Sequence, residues 1–195
     1  VKIEKLSKLV ADVQHVEHQF SLQGMADRTY NPWMPYQPAD FIGIIWECLP
    51  ELTGKHFLDI GCGPGTKMQI AQDLFGFEVH GIEVDPAMAE EARKRFSGAG
   101  TVVTGDALDL QPAYHPLDVF DLIWLYRPFR DPAAEYKLEQ QIIEAMKPGA
   151  ILAGGMWDTD VSCLGWQVIV DDCIISPDGA TQIVRGAWQK PAPVE

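Results

Sequence analysis

The stretch FLDIGCGPGT, residues 57–66, decides how the rest of this chain is read. Two apolar residues and an acid, Asp59, lead into glycines at 61, 63 and 65, and Thr66 then opens a segment of mixed polarity. A short apolar run, a glycine-rich turn and a helical pattern form the strand–loop–helix unit of an α/β sheet. In such sheets ligands bind beyond the carboxyl ends of the strands, where chain order reverses. Glycines at that turn permit positive φ and remove the Cβ atoms that would hold a ligand away.

Outward from this unit the chain alternates. Upstream, residues 2–20 have apolar residues three or four apart (Ile3, Leu6, Val10, Val13, Val16, Phe20), which predicts a helix. The aromatic, proline-rich segment GMADRTYNPWMPYQP (24–38) cannot be a regular helix or central strand and reads as an ordered capping loop. Residues 39–50 are expected to be helical. Strands are expected at 56–60, 77–83, 101–105, 119–126 and 150–157, with helices at 66–75, 86–96 and 132–146 between them. Asp85 and Pro86 mark one helix start as N-cap and first-turn proline. The segment PDG (177–179) lies between two strand-like runs and signals a closing hairpin. The expected fold is α/β: a Rossmann-like, doubly wound, mostly parallel seven-stranded sheet that ends in an antiparallel hairpin, with an extra N-terminal helix. The expected division is 1–37 for the N-terminal helix and capping loop, and 38–195 for the main domain.

Three ligand types suit a glycine loop at this position: a dinucleotide, a nucleoside triphosphate, or a nucleoside without phosphates. The triphosphate loop needs GxxxxGK[ST], and here Lys67 follows Thr66 in the wrong order. The dinucleotide loop needs GxGxxG, and Gly65 comes one position too early. Asp59 would also repel a pyrophosphate. The segment GIEVDP puts Glu83 at the tip of the second strand, where an acid can accept both hydrogen bonds of a ribose diol. GDAL puts Asp106 after the third strand, where a carboxylate can accept from an adenine amino group. A cation partner, a diol partner and an amino-group partner together describe an amino-acid-like cation joined to adenosine.

Together FLDIGCGPGT, VHGIEVDP, GDALDL and MKPGAIL resemble the class I S-adenosylmethionine-dependent methyltransferases, over about residues 39–157. The resemblance implies S-adenosyl-L-methionine as cofactor. It implies that Asp59, Gly61, Cys62 and Gly63 lie along the methionine part, Glu83 and Val84 at the ribose, and Asp106 and Ala107 at the adenine. The acceptor should meet the end of the fourth strand, LYRPF (125–129), with Tyr30, Tyr36, Tyr126, Arg127 and Phe129 as its wall. LYRPF is similar to the motif of amino-group methyltransferases, but Arg127 replaces the polar residue there, which argues against methylation of DNA bases. The shortened DTDVSCLG (158–165) and MPYQP (34–38) resemble a subgroup that methylates protein lysines. No general base is assigned. The expected activity is methyl transfer to a protein amine or small molecule. The alternative is a non-catalytic cofactor-binding module, or a partner-supporting protein, with the same fold.

Composition narrows the classes further. Twenty-eight acids against 15 bases leave a net charge of −13, which disfavours nucleic acid as a partner. No apolar run is long enough for a membrane span. Cys48, Cys62, Cys163 and Cys173 include no CxxC pair and no zinc-ligand spacing, and His15 and His18 read as surface residues, so no metal is expected. Sparse cysteine and no recognisable secretory leader point to a reducing cytoplasm. Cys62 reads as a small residue filling a tight turn.

Overall fold

The computed structural model describes residues 3–21, 30, 36–96, 100–109, 116–155, 164–175 and 182–192. Seven strands form one sheet: β1 (His56–Ile60), β2 (Glu78–Glu83), β3 (Gly100–Thr104), β4 (Leu122–Tyr126), β5 (Ile151–Gly155), β6 (Gln167–Ile175) and β7 (Gln182–Gln189). Their order is β3-β2-β1-β4-β5-β7-β6. Strands β1 to β5 pair in parallel, and β7 pairs antiparallel with both β5 and β6. The chain runs outward from β1 to β3 and resumes at β4 on the other side of β1. The β1/β4 boundary is therefore the reversal point at which such sheets take ligands.

Five helices accompany the sheet: α1 (Ile3–Ser21), α2 (Pro38–Cys48), α3 (Thr66–Phe75), α4 (Pro86–Arg95) and α5 (Pro132–Ala145). Successive strand residues point to opposite faces, and β4 divides accordingly. Leu122 and Trp124 join the core under α2, α3 and α4, while Ile123 and Leu125 join the core under α5. Helices on both faces explain why the central strands carry almost no polar residue. Asp85 caps α4 by accepting from the N–H groups of Ala87 and Met88, and Asp131 caps α5 through that of Ala133.

Several expected boundaries move. The run 119–126 is not all strand. Leu117–Val119 is a 3-10 turn, and β4 starts at Leu122 because Asp121 is used as a cap. Its carboxylate accepts from the N–H of His56 at 2.9 Å and pairs with Lys147 Nζ at 2.7 Å. Helix α2 ends at Cys48 and tightens into a 3-10 turn over Leu49–Glu51, at Pro50. In α1 the buried line is Leu9, Val13 and Glu17, rotated from the expected stripe, with Leu6, Val10, Val16 and Phe20 half-buried. Leu9 and Val13 pack in the same core as α2 and α3, so α1 belongs to the body of the fold. The segments 22–29, 31–35, 156–163 and 176–181 lie outside the described residues, and with them most of the capping loop, nearly all of DTDVSCLG, and PDG. Among the described residues no helix is long and apolar enough to cross a membrane.

Candidate functional site

Three successive strand ends build the site. Strand β1 delivers Asp59 and the glycine loop, β2 delivers Glu83 and Val84, and β3 is followed by Asp106 and Ala107. The loop is conformationally demanding: Gly61, Gly63 and Gly65 have φ of 76°, 53° and 81°. At Gly65, which caps α3, an added Cβ would also stand 2.7 Å from the Phe96 ring. That glycine serves the close packing of α3 on α4. Arg95 of α4 fastens the same loop, donating from Nε to the carbonyl of Pro64 at 3.1 Å.

The loop's amides are already in use. Gly61 and Cys62 both donate to the carbonyl of Ile82, Gly65 donates to that of Cys62, and Gly63 donates to Glu83 Oε2 at 2.7 Å. A phosphate cradle requires such N–H groups to point at the anion. Here they point into the protein, and the nearest carboxylates are Asp59 and Glu83. The donor set is therefore wrong for a pyrophosphate and right for a cation.

Asp59 is the clearest sign of a missing cation. It is 0% exposed, and neither oxygen accepts a hydrogen bond among the described residues. Lys67 Nζ, itself buried, comes to 3.9 Å of Oδ2, within ion-pair reach but beyond hydrogen-bond distance. Burial raises the Asp59 carboxyl to about 6; Lys67 pulls it down and Glu17 pushes it up. Glu17 comes from α1. It accepts from the Thr66 hydroxyl at 2.8 Å, and burial pushes its carboxyl up against the pull of Lys67 and that hydrogen bond. Two carboxylates thus face one ammonium, and a second cation would balance the group. Glu17 and Lys67 are the site residues that sequence reading missed. The burial of Glu17 was invisible because it interrupts an otherwise apolar helix face.

Glu83 ends β2, as expected, and is also tied to the backbone around it. It stands at a strand tip but is only 6% exposed, and both oxygens hold backbone: Oε2 the N–H of Gly63, Oε1 that of Asp85 at 2.8 Å. It clips the glycine loop to β2. Each oxygen keeps a further lone pair for a diol. Burial pushes its carboxyl up, and the two N–H donors pull it back. Asp106 is likewise engaged, accepting from the Tyr30 hydroxyl at 2.8 Å and from the N–H of Leu108 at 2.9 Å. Cys62 is fully buried beside Gly81, whose missing Cβ makes room for its sulfur, and its thiol is pushed well up. It fills the turn, as expected.

Of the expected acceptor wall, Tyr30 sits on the Asp106 side. Its backbone bridges Phe129, its ring packs 5.4 Å from the Phe129 ring, and its carbonyl accepts from Arg130 Nε. Tyr36 is buried edge-on between Trp124 and Tyr126, 5.1 and 5.0 Å away. Arg127, exposed, ends β4 with φ 46°, the left-handed region that side chains other than glycine disfavour. At the reversal point of the sheet Tyr126 is thus half-buried, Arg127 exposed and Phe129 buried.

Residues 57–149 match the methyltransferase domain family model. A trans-aconitate 2-methyltransferase from Rhizobium leguminosarum bv. trifolii is 29% identical over 105 residues, covering 53% of this chain and 39% of the relative. The aklanonic acid methyltransferase DauC of a Streptomyces species is 37% identical over 75 residues, covering 37% of this chain and 34% of the relative. The chain thus spans well under half the length of these curated relatives. An RNA methyltransferase from Salinibacter ruber, solved with S-adenosyl-L-homocysteine, shares the fold at TM-score 0.56 and 19% identity, over 83% of this chain and 97% of that one. Over residues 57–149 this chain is thus similar in sequence to a methyltransferase domain, and it shares the fold of a solved methyltransferase.

Proposed function

We propose that the protein is an S-adenosyl-L-methionine-dependent methyltransferase whose acceptor is a small molecule bearing a carboxylate. The observation that carries the cofactor half is Asp59: a buried carboxylate that accepts no hydrogen bond among the described residues, beside a loop whose amides are taken up by the Ile82 and Cys62 carbonyls and by Glu83. In this reading Asp59 faces the ammonium of the cofactor's amino-acid part, with Gly61, Cys62 and Gly63 as the close backbone. Glu83 and Val84 take the ribose, and Asp106 and Ala107 the adenine. When bound, the cofactor supplies a methyl group on a sulfonium sulfur. The chain's task is to hold the acceptor in line and exclude water.

The acceptor half rests on Arg127. A guanidinium at the end of β4 is a permanent cation with a planar set of donors that matches a carboxylate. The two curated relatives carry the names of organic acids as their substrates, which supports the same choice. Tyr126 and Phe129 supply the apolar wall, with Tyr36 behind Tyr126 and Tyr30 over Phe129. The resemblance to protein-lysine methyltransferases draws no support from these relatives, and the net charge of −13 disfavours nucleic acid. The non-catalytic alternative has the unusual Arg127 in its favour and would need the same Asp59, glycines and Glu83 to hold the cofactor, so transfer of the methyl group to an acceptor separates the two readings.

The test has two stages. Calorimetry should detect S-adenosylmethionine and its demethylated product but not NAD or ATP. Methyl-labelled cofactor is then offered with di- and tricarboxylic acids, amines, proteins and RNA. Label on a carboxylic acid is the expected result. NAD binding without response to the methionine nucleosides would overturn the cofactor assignment, and label on protein or RNA alone would overturn the acceptor.

A further inference from the structure

A second cluster of polar side chains lies at the opposite edge of the sheet from the glycine loop. His56 opens β1 and Glu78 opens β2, and the parallel register sets them directly side by side. His80, two residues along β2, points to the same face. His56 Nδ1 lies 3.6 Å from Glu78 Oε2, and His80 Nε2 lies 3.5 Å from Glu78 Oε1. All three donor atoms fall within 4.8 Å of one another.

From this geometry we infer a divalent transition-metal site, with zinc as the best-fitting ion, held by His56, Glu78 and His80. Two imidazoles and one carboxylate are a donor set suited to Zn²⁺, which takes nitrogen at about 2.0–2.1 Å and carboxylate oxygen at about 2.0–2.2 Å. In a tetrahedral arrangement such donors stand about 3.3 Å apart. Each imidazole nitrogen stands near that spacing from a different oxygen of the Glu78 carboxylate, at 3.6 and 3.5 Å. The exposed His56 and Glu78 side chains have room to rotate inward and close the third edge, and a fourth position stays open to water.

The backbone under the cluster is rigid. The N–H of His56 donates to the Asp121 carboxylate, and its carbonyl accepts from the N–H of Asp121, both at 2.9 Å. The N–H of Glu78 donates to the carbonyl of Lys55 at 2.8 Å. The His80 ring packs edge-on against Phe120, 5.2 Å away. Because the ligands come from two neighbouring strands, a bound ion would add a clip between β1 and β2 at the end opposite the cofactor. It would stabilise the folded chain without entering methyl transfer.

The test titrates the metal-free full chain at pH 8 with Zn²⁺, and separately with Ca²⁺, by calorimetry and thermal melting. The expected result is one Zn²⁺ per chain with a dissociation constant of about 10 μM or tighter, a melting temperature raised by several degrees, and no response to Ca²⁺. His56→Ala, Glu78→Gln and His80→Ala should each weaken uptake at least about tenfold and abolish the thermal shift. Retained circular dichroism and S-adenosylhomocysteine binding check that each variant is folded. Where His80→Ala alone fails that check, His80→Gln replaces it. No uptake by the wild-type chain at 100-fold excess of metal, or uptake that all three variants share, overturns the site.

Discussion

The ammonium of Lys67 stands 3.9 Å from Oδ2 of Asp59, and both side chains are buried, the aspartate completely. One lysine serves two carboxylates here, because Glu17 reaches the same place from α1. A cation placed beside Asp59 would balance the second carboxylate.

Asp59→Asn tests this relationship. The folded-state pKa of Asp59, about 6, lies above its ordinary 3.8. The folded protein therefore holds the proton more tightly than the unfolded chain between those values. Stability falls as pH rises from about 4 to 6 and is flat above, with a cost at neutral pH of up to about 3 kcal/mol. The asparagine variant should melt at least as high as wild type at pH 8 and show less loss between pH 4 and 6. Its affinity for S-adenosylmethionine should fall at least about tenfold, since an ion–ion contact is lost. Wild-type affinity should itself weaken as pH drops through 6. Thermal melts and calorimetry across that range provide the check.

Glu83→Ala should damage both stability and binding. It strips acceptors from the N–H groups of Gly63 and Asp85, and each buried orphan costs about 1–3 kcal/mol. The melting temperature should drop by several degrees and cofactor affinity by about ten- to several hundred-fold. A lower affinity with an unchanged melting temperature would mean that the clip carries no weight in the free protein.

Arg127 can be split into backbone and side chain. Its φ of 46° costs a side chain of ordinary stereochemistry about 1–2 kcal/mol. Arg127→Gly should therefore be more stable than Arg127→Ala by about 1 kcal/mol. Both should keep cofactor affinity and lose methyl transfer to a carboxylate acceptor. Transfer that survives in both variants would remove Arg127 from the acceptor site.

Tyr30→Phe removes the hydroxyl that Asp106 accepts at 2.8 Å while keeping the ring on Phe129. A hydrogen bond to a charged group contributes about 1.5–3 kcal/mol when buried and less at this half-exposed position. The expected loss is a few-fold in affinity for adenosine-containing ligands, with little change in melting temperature. Calorimetry with S-adenosylhomocysteine reads it directly.

The sheet was legible in the sequence because its determinants are local. Short, mostly apolar runs alternate with helical patterns in order, and β1 and α3 fall at the expected residues. The acids at three strand ends were legible for the same reason, since Asp59 and Glu83 lie in the last two positions of their strands and Asp106 comes just after β3. What those acids touch was not. Glu83 spends its oxygens on Gly63 and Asp85, Asp106 meets a tyrosine 76 residues away, and Glu17 crosses 49 residues to Thr66. Those contacts depend on how α1 and the segment around Tyr30 lie over the sheet, and no local periodicity encodes that placement. His56, Glu78 and His80 show the same division. Their identities are plain in the sequence, but they converge only because parallel register sets the first residue of β1 beside the first residue of β2. Local patterning determined which elements form and which residues end them. Tertiary packing decided which of those residues are dehydrated and which carboxylate is buried without accepting a hydrogen bond among the described residues.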